Sequence, residues 1–170
     1  MEIPFAGGAM RPWHPNDSAG LVLMADNRKV WRNLRDHFPN PYTTRDAKTW
    51  IRGTLLRFPC AHFAIAVDGA PAGGIGLVLR EDVHKGTAEI GYWLGEPCWG
   101  RGIMTAALGA FSEYAFDTFK LRRLYAYVLD WNPASMRVLE NCGYLLEGRM
   151  RRSAVKDGEV ADELLYAKLR

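Results

Sequence analysis

The chain is short of everything that would place it among disulfide-rich, membrane or metal-dependent proteins. It has three cysteines, Cys60, Cys98 and Cys142, an odd number, widely spaced and without a CxxC pair. A disulfide framework or a zinc site is excluded on that pattern, and a reducing cytoplasm is the compartment it implies. No apolar run much exceeds Phe63–Val67, far below the roughly 18 residues of a membrane helix. Met1 to Met10 lacks the basic and apolar regions of a signal peptide. Charge of one sign is also scarce, because the formal net charge is only +3. That excess helps attract an anionic ligand but is too weak to indicate nucleic-acid binding. His14, His37, His62 and His84 form no HExxH and no metal spacing, and no GxSxG surrounds a serine.

What remains is an ordinary globular composition, 48% apolar and 24% charged over 170 residues. It predicts one domain spanning residues 1–170 with a single sizeable core. A short strand is predicted near Ala9 to Trp13. A helix capped by Asn16 or Asp17 then runs to about Asp26, and a second covers Arg28 to Asp36. Phe38-Pro39-Asn40-Pro41 breaks any helix. Thr43 or Thr44 caps a third, with Trp50, Ile51, Leu55 and Leu56 on one face. Trp31, Phe38, Tyr42 and Trp50 read as core or cleft lining. Strands Ala61–Val67 and Pro71–Leu79 flank the hairpin signal Asp68-Gly69, and Thr87–Leu94 is a third strand. A long helix ends near Lys120. Arg123–Val128 is a strand, and Asn132-Pro133 opens a helix that Gly143 stops. Leu145 to Leu169 reads as a hairpin about Asp157-Gly158. The order makes a mixed α/β, or α+β, domain with one central sheet.

Three features carry chemistry. Trp99-Gly100-Arg101-Gly102-Ile103-Met104-Thr105 joins a strand to the long helix. Glycines let the backbone turn its N–H groups inward, and a helix start has unpaired N–H groups, so the segment suits phosphate. Arg101 adds charge at its rim. No Lys-Ser or Lys-Thr follows, and it is not GxGxxG, so neither a P-loop nor a dinucleotide fingerprint is present. A plain strand-to-helix turn is the other reading. Second, alternation puts Glu89, Gly91 and Trp93 on one strand face and Ile90, Tyr92 and Leu94 on the other. A carboxylate among apolar neighbours suits a general base; a salt-bridged structural glutamate is the plainer alternative. Third, Asn132 and Ser135 offer an amide and a hydroxyl at a helix start, beyond simple capping. Gly73-Gly74-Ile75-Gly76, inside a strand, marks a bulge or a close approach. Arg149, Arg151 and Arg152 read as a solvated basic face, with an anion contact second.

Ala88–Leu94, Trp99–Ala107, Asn132–Ser135 and Val138–Tyr144, in that order, resemble the GNAT acetyltransferase superfamily. Within it the chain is similar to the group that acetylates N-terminal amines of ribosomal proteins, a group that includes antibiotic and small-amine acetyltransferases. Trp99 stands where the superfamily usually has Gln or Arg, as is common in this group. Met104 stands where Gly or Ala is usual, so its side chain must point away from the phosphates. Ala106 replaces a frequent glutamate.

The resemblance implies a mixed, mostly antiparallel sheet flanked by helices and splayed between its two central strands. It implies acetyl-CoA as donor and no metal. The pyrophosphate would lie on the amides of Trp99, Gly100, Arg101, Gly102, Ile103, Met104 and Thr105. The pantetheine would lie near Tyr92, Trp93, Leu94 and Asn132. Glu89, through water, would take the amine's proton, amides near Leu94 would hold the oxyanion, and Ser135 would serve the leaving thiolate. The acceptor is then a protein N-terminus or a small-molecule amine such as an antibiotic or polyamine; a non-catalytic acetyl-CoA sensor is the alternative outside enzymes. Neither a membrane nor nucleic acid is implied as a partner, and a monomer or homodimer both fit.

Overall fold

A computed structural model describes residues 1–55 and 58–170. Its centre is an eight-stranded sheet of order β1-β2-β3-β4-β5-β6-β8-β7. The strands are β1 Ile3–Phe5, β2 Gly8–Pro12, β3 His62–Val67, β4 Ala70–Leu79, β5 Thr87–Leu94, β6 Arg123–Leu129, β7 Leu145–Lys156 and β8 Glu159–Leu169. The helices are α1 Ser18–Ala25, α2 Arg28–Trp31, α3 Thr44–Leu55, α4 Ile103–Phe119 and α5 Pro133–Asn141.

Every strand pair is antiparallel except β5–β6, which α4 connects as a parallel crossover. Side-chain alternation sorts the strands between two cores. Leu77, Ala88, Ile90, Leu124, Ala126 and Val128 face α4, whose Leu108, Phe111 and Ala115 are fully buried. Truncating a buried phenylalanine such as Phe111 typically costs about 3–5 kcal/mol. On the opposite face Trp13, Leu21, Ala25, Tyr42, Ala47 and Ile51 form a second cluster beneath α1 and α3.

Most boundaries follow the sequence expectations, with three corrections. β1 was not expected; it is a three-residue edge strand, where Pro4 removes no needed ladder bond. The predicted Arg28–Asp36 helix is only the four residues of α2, capped by the Asn27 side chain. On α3, Ile51 is buried while Trp50 and Leu55 are 41% and 49% exposed, so the predicted common apolar face is split. Leu56 lies outside the described residues.

The β5–β6 ladder has three pairs, Thr87↔Arg123, Ala88↔Leu124 and Glu89↔Tyr125. Beyond Glu89, β5 stays with β4 as far as Leu94, and β6 stays with β8 as far as Leu129. The two central strands therefore part. Backbone groups on the facing edges need partners from something placed between them.

The β7–β8 turn folds back over α2. Lys156, 4% exposed, pairs with Asp36 at 2.8 Å and sits 3.6 Å from the Trp31 ring centre. Arg28 pairs with Asp157, and Arg32 with Glu159 at 3.1 Å. Arg149, expected on a solvated face, pairs with Asp130 and Asp162.

Candidate active site

The parting of β5 and β6 opens a cleft of about 1390 Å³ that reaches both faces of the sheet. On the α4 side it is bounded by the Trp99–Thr105 turn and the start of α5. On the other it is bounded by Glu89, Gly91, Trp93, Phe38 and Trp50.

The turn is built by two left-handed glycines, Gly100 and Gly102, each at φ 72°. An ideal Cβ on either would meet nothing within 4 Å, so backbone conformation rather than crowding selects glycine, and open space lies in front. The first backbone bond into α4 runs from Ala106 N to Gly102 O at 3.1 Å. The amides of Ile103, Met104 and Thr105 are thus the open donors of a 17-residue helix. Ile103 and Met104 are 3% and 8% exposed and belong to the core, while Trp99, Arg101 and Thr105 remain accessible where the turn lines the cleft. Trp99 Nε1 donates to Leu94 O at 2.6 Å, fixing the turn against the end of β5.

At α5, Asn132 Oδ1 accepts from Ser135 N at 3.2 Å, Pro133 occupies the first helical position, and Gly143 follows the end at φ 80°. The cap places Ser135 Oγ 2.8 Å from the hydroxyl of Tyr92, across the gap on β5. Burial pushes the Tyr92 phenol well above its ordinary range, more than the Ser135 hydrogen bond lowers it.

Glu89 faces the α1–α3 side, in register with Val78 and Tyr125. Its surroundings differ from the apolar ones expected. One oxygen accepts from Arg35, and the other from Arg80 at 2.6 Å. Arg80 Nε in turn donates to the Tyr125 hydroxyl at 2.5 Å. Beside Glu89 a Cβ at Gly91 would meet nothing within 4 Å, so the strand is bare there. Gly74 and Gly76 of β4 lie on the same face as close approaches, where a Cβ would come 2.9 Å from Trp93 Nε1 and 2.1 Å from His62 Nδ1. Trp93 points away from Tyr92 and meets Phe38 edge-on, with ring centres 5.5 Å apart. Among the described residues, no cluster of three or more His, Cys, Asp or Glu is arranged to hold a metal, and no helix is long and apolar enough to cross a membrane.

An acetyltransferase (GNAT) domain matches residues 9–145. The chain belongs to the GNAT acetyltransferase family. The GNAT domain is an enzyme of the acyltransferase class. A probable N-acetyltransferase of Bacillus subtilis (strain 168), YjcK, is 42% identical over 169 residues, covering 94% of this chain and 92% of that one. The ribosomal-protein-serine acetyltransferase of Escherichia coli (strain K12) is 36% identical over 153 residues, covering 88% and 85%. Among solved structures, RimL, a ribosomal L7/L12 α-N-protein acetyltransferase in complex with coenzyme A, superposes with a TM-score of 0.86 at 24% identity, covering 99% and 98%.

The fold brings together all three features singled out in the GNAT sequence: the glycine turn, Glu89, and the Asn132–Ser135 cap. They line one cleft. Sequence reasoning did not find Arg80, although alternation from Val78 puts it on the Glu89 face. It did not find Arg35, which was placed in the predicted Arg28–Asp36 helix but lies in the irregular segment after α2. Tyr92 was assigned to the donor side, but its hydroxyl contact with Ser135 joins residues of two elements.

Proposed function

We propose that this GNAT acetyltransferase moves the acetyl group of acetyl-CoA to a primary amine, the α-amine of a protein N-terminus. The observation that carries the reading is a backbone cradle for phosphate opening directly into the splayed gap, with a hydroxyl pair at one wall and a carboxylate beyond. The amides of Ile103 to Thr105, with Arg101 at the rim, suit the pyrophosphate. The parted edges of β5 and β6, near Tyr92, Leu94 and Asn132, offer backbone partners to an amide-containing arm. Similarity to the E. coli ribosomal-protein-serine acetyltransferase supports an N-terminal acceptor.

An amine is protonated at neutral pH and must lose a proton before it attacks a thioester. In this reading Glu89 accepts that proton through a water in the bare space over Gly91. The tetrahedral oxyanion is held by amides near Leu94 at the end of β5. Ser135 hydrogen-bonds the departing thiolate. No covalent enzyme intermediate is needed, which leaves the three free thiols, Cys60, Cys98 and Cys142, without a chemical role and fits a cytoplasmic setting.

The test is an acceptor screen with acetyl-CoA, reading products by mass spectrometry. It covers peptides with free α-amines, lysine peptides, polyamines and aminoglycosides. Acetylation of α-amine peptides supports the reading. Transfer only to polyamines or aminoglycosides would move the chain to small-molecule chemistry. Release of free thiol without any acceptor would make it a thioester hydrolase.

A further inference from the structure

We infer that the acceptor carries a carboxylate beside its amine, as in a peptide N-terminus followed by Asp or Glu. The inference rests on Glu89 being the carboxylate that receives the amine's proton through water. Glu89 is bound by two guanidinium groups, and its side chain is only 12% exposed. The two arginines are not equivalent. Arg80 is fixed from behind by the Tyr125 hydroxyl at 2.5 Å. Arg35 comes from the irregular segment after α2, its side chain is 57% exposed, and its other contact is the Tyr127 ring face at 5.9 Å. Arg35 is therefore the partner displaced when an incoming ammonium and the water that links it to Glu89 arrive.

Displacement leaves a guanidinium beside Glu89 without its anion. An acceptor that supplies a carboxylate restores the lost pair, so one internal ion pair is exchanged for two with substrate. The side chain of the second residue is the right distance away, because one residue of extended chain spans roughly 3.3–3.6 Å. Other carboxylates lining this part of the cleft already have donors. Asp36 holds Lys156 at 2.8 Å, Glu163 accepts from Ser153 at 2.9 Å, and Asp46 accepts from Thr43 N at 2.8 Å. A polycation, in contrast, brings its second charge against Arg35 and Arg80, where like charges repel.

The experiment measures kcat/KM with acetyl-CoA for three peptides that differ only at residue two, Ser-Glu, Ser-Gln and Ser-Lys, and for spermidine. The Glu peptide should exceed its Gln isostere by about tenfold, the scale of one charge-assisted hydrogen bond, through KM rather than kcat. The Lys peptide and spermidine should fall below Gln. Arg35→Gln should bring the Glu/Gln ratio close to one, and Arg35→Glu should favour Lys. Equal rates for Glu and Gln in the wild-type protein would overturn the inference and leave the N-terminal reading intact. A Glu preference unchanged in Arg35→Gln would overturn the assignment to Arg35. Acetylation of spermidine alone would overturn both readings.

Discussion

The hydroxyl oxygens of Tyr92 and Ser135 lie 2.8 Å apart across the gap between β5 and α5. Burial keeps the Tyr92 phenol protonated far above neutral pH. A phenol that holds its proton more tightly than a thiol is no net acid for a thiolate. It is a fixed hydrogen-bond partner instead, and in the arrangement in which it donates to Ser135 Oγ the serine proton is free to turn into the gap.

Tyr92→Phe and Ser135→Ala should therefore each lower kcat, by about tenfold or more, with little change in coenzyme A affinity. Because the two act as one unit, the double variant should be hardly slower than Ser135→Ala alone. Additive losses would make Tyr92 an independent contributor. A fully active Ser135→Ala would show that water serves the thiolate.

Glu89→Gln preserves shape but cannot take a proton. Transfer should slow by roughly a hundredfold, the usual scale for a lost general base. The deficit should shrink as pH approaches the amine's own pKa, where solvent supplies free amine. A wild-type rate with an unchanged pH profile would leave Glu89 as the structural centre of the Arg35–Arg80 cluster.

At Gly102 the comparison is between Asp and Asn. Both tolerate the left-handed backbone better than other side chains, so their difference reads charge rather than strain. Gly102→Asp should bind coenzyme A at least about tenfold more weakly than Gly102→Asn by calorimetry, because it sets a negative charge against the pyrophosphate. Thermal midpoints of the two should agree. Equal affinities would put the pyrophosphate elsewhere.

Asp17 should be one source of acid sensitivity. Burial pushes its carboxyl up, but the Arg11 guanidinium at 2.7 Å and the His14 amide at 2.8 Å outweigh this and hold it below the ordinary value. A depressed folded pKa stabilises the protein above the unfolded value of about 3.9, and that contribution is lost as pH falls through the folded one. Asp17→Asn should lower the thermal midpoint at pH 7, and the gap to wild type should narrow below about pH 4. A gap constant across that range would mean the charge is not what holds this corner.

What was legible in the sequence was local. The glycine turn, the Asn132-Pro133 to Gly143 helix and the Glu89 alternation follow from backbone preferences within a few residues, and each lies where expected. What was not legible depends on distant partners. The chain after Trp31 leaves the helix to meet Lys156, about 120 positions later, through Asp36. The environment of Glu89 was misread because its second arginine arrives from 54 residues away in sequence, from a segment expected to be helical that instead leaves the helix after Trp31. The β1 strand was hidden by Pro4, which edge pairing tolerates.

Strand β8 follows all the other strands in the chain yet lies inside the sheet, between β6 and β7. During synthesis on the ribosome, β6 therefore waits with an unpaired edge until Glu159–Leu169 has emerged. The wall that β7 and β8 raise over α2 waits with it. No nascent form of this domain owns a finished cleft, and trimming it back to Gly158 removes an interior strand rather than a tail. The enzyme can become active only as a completed domain.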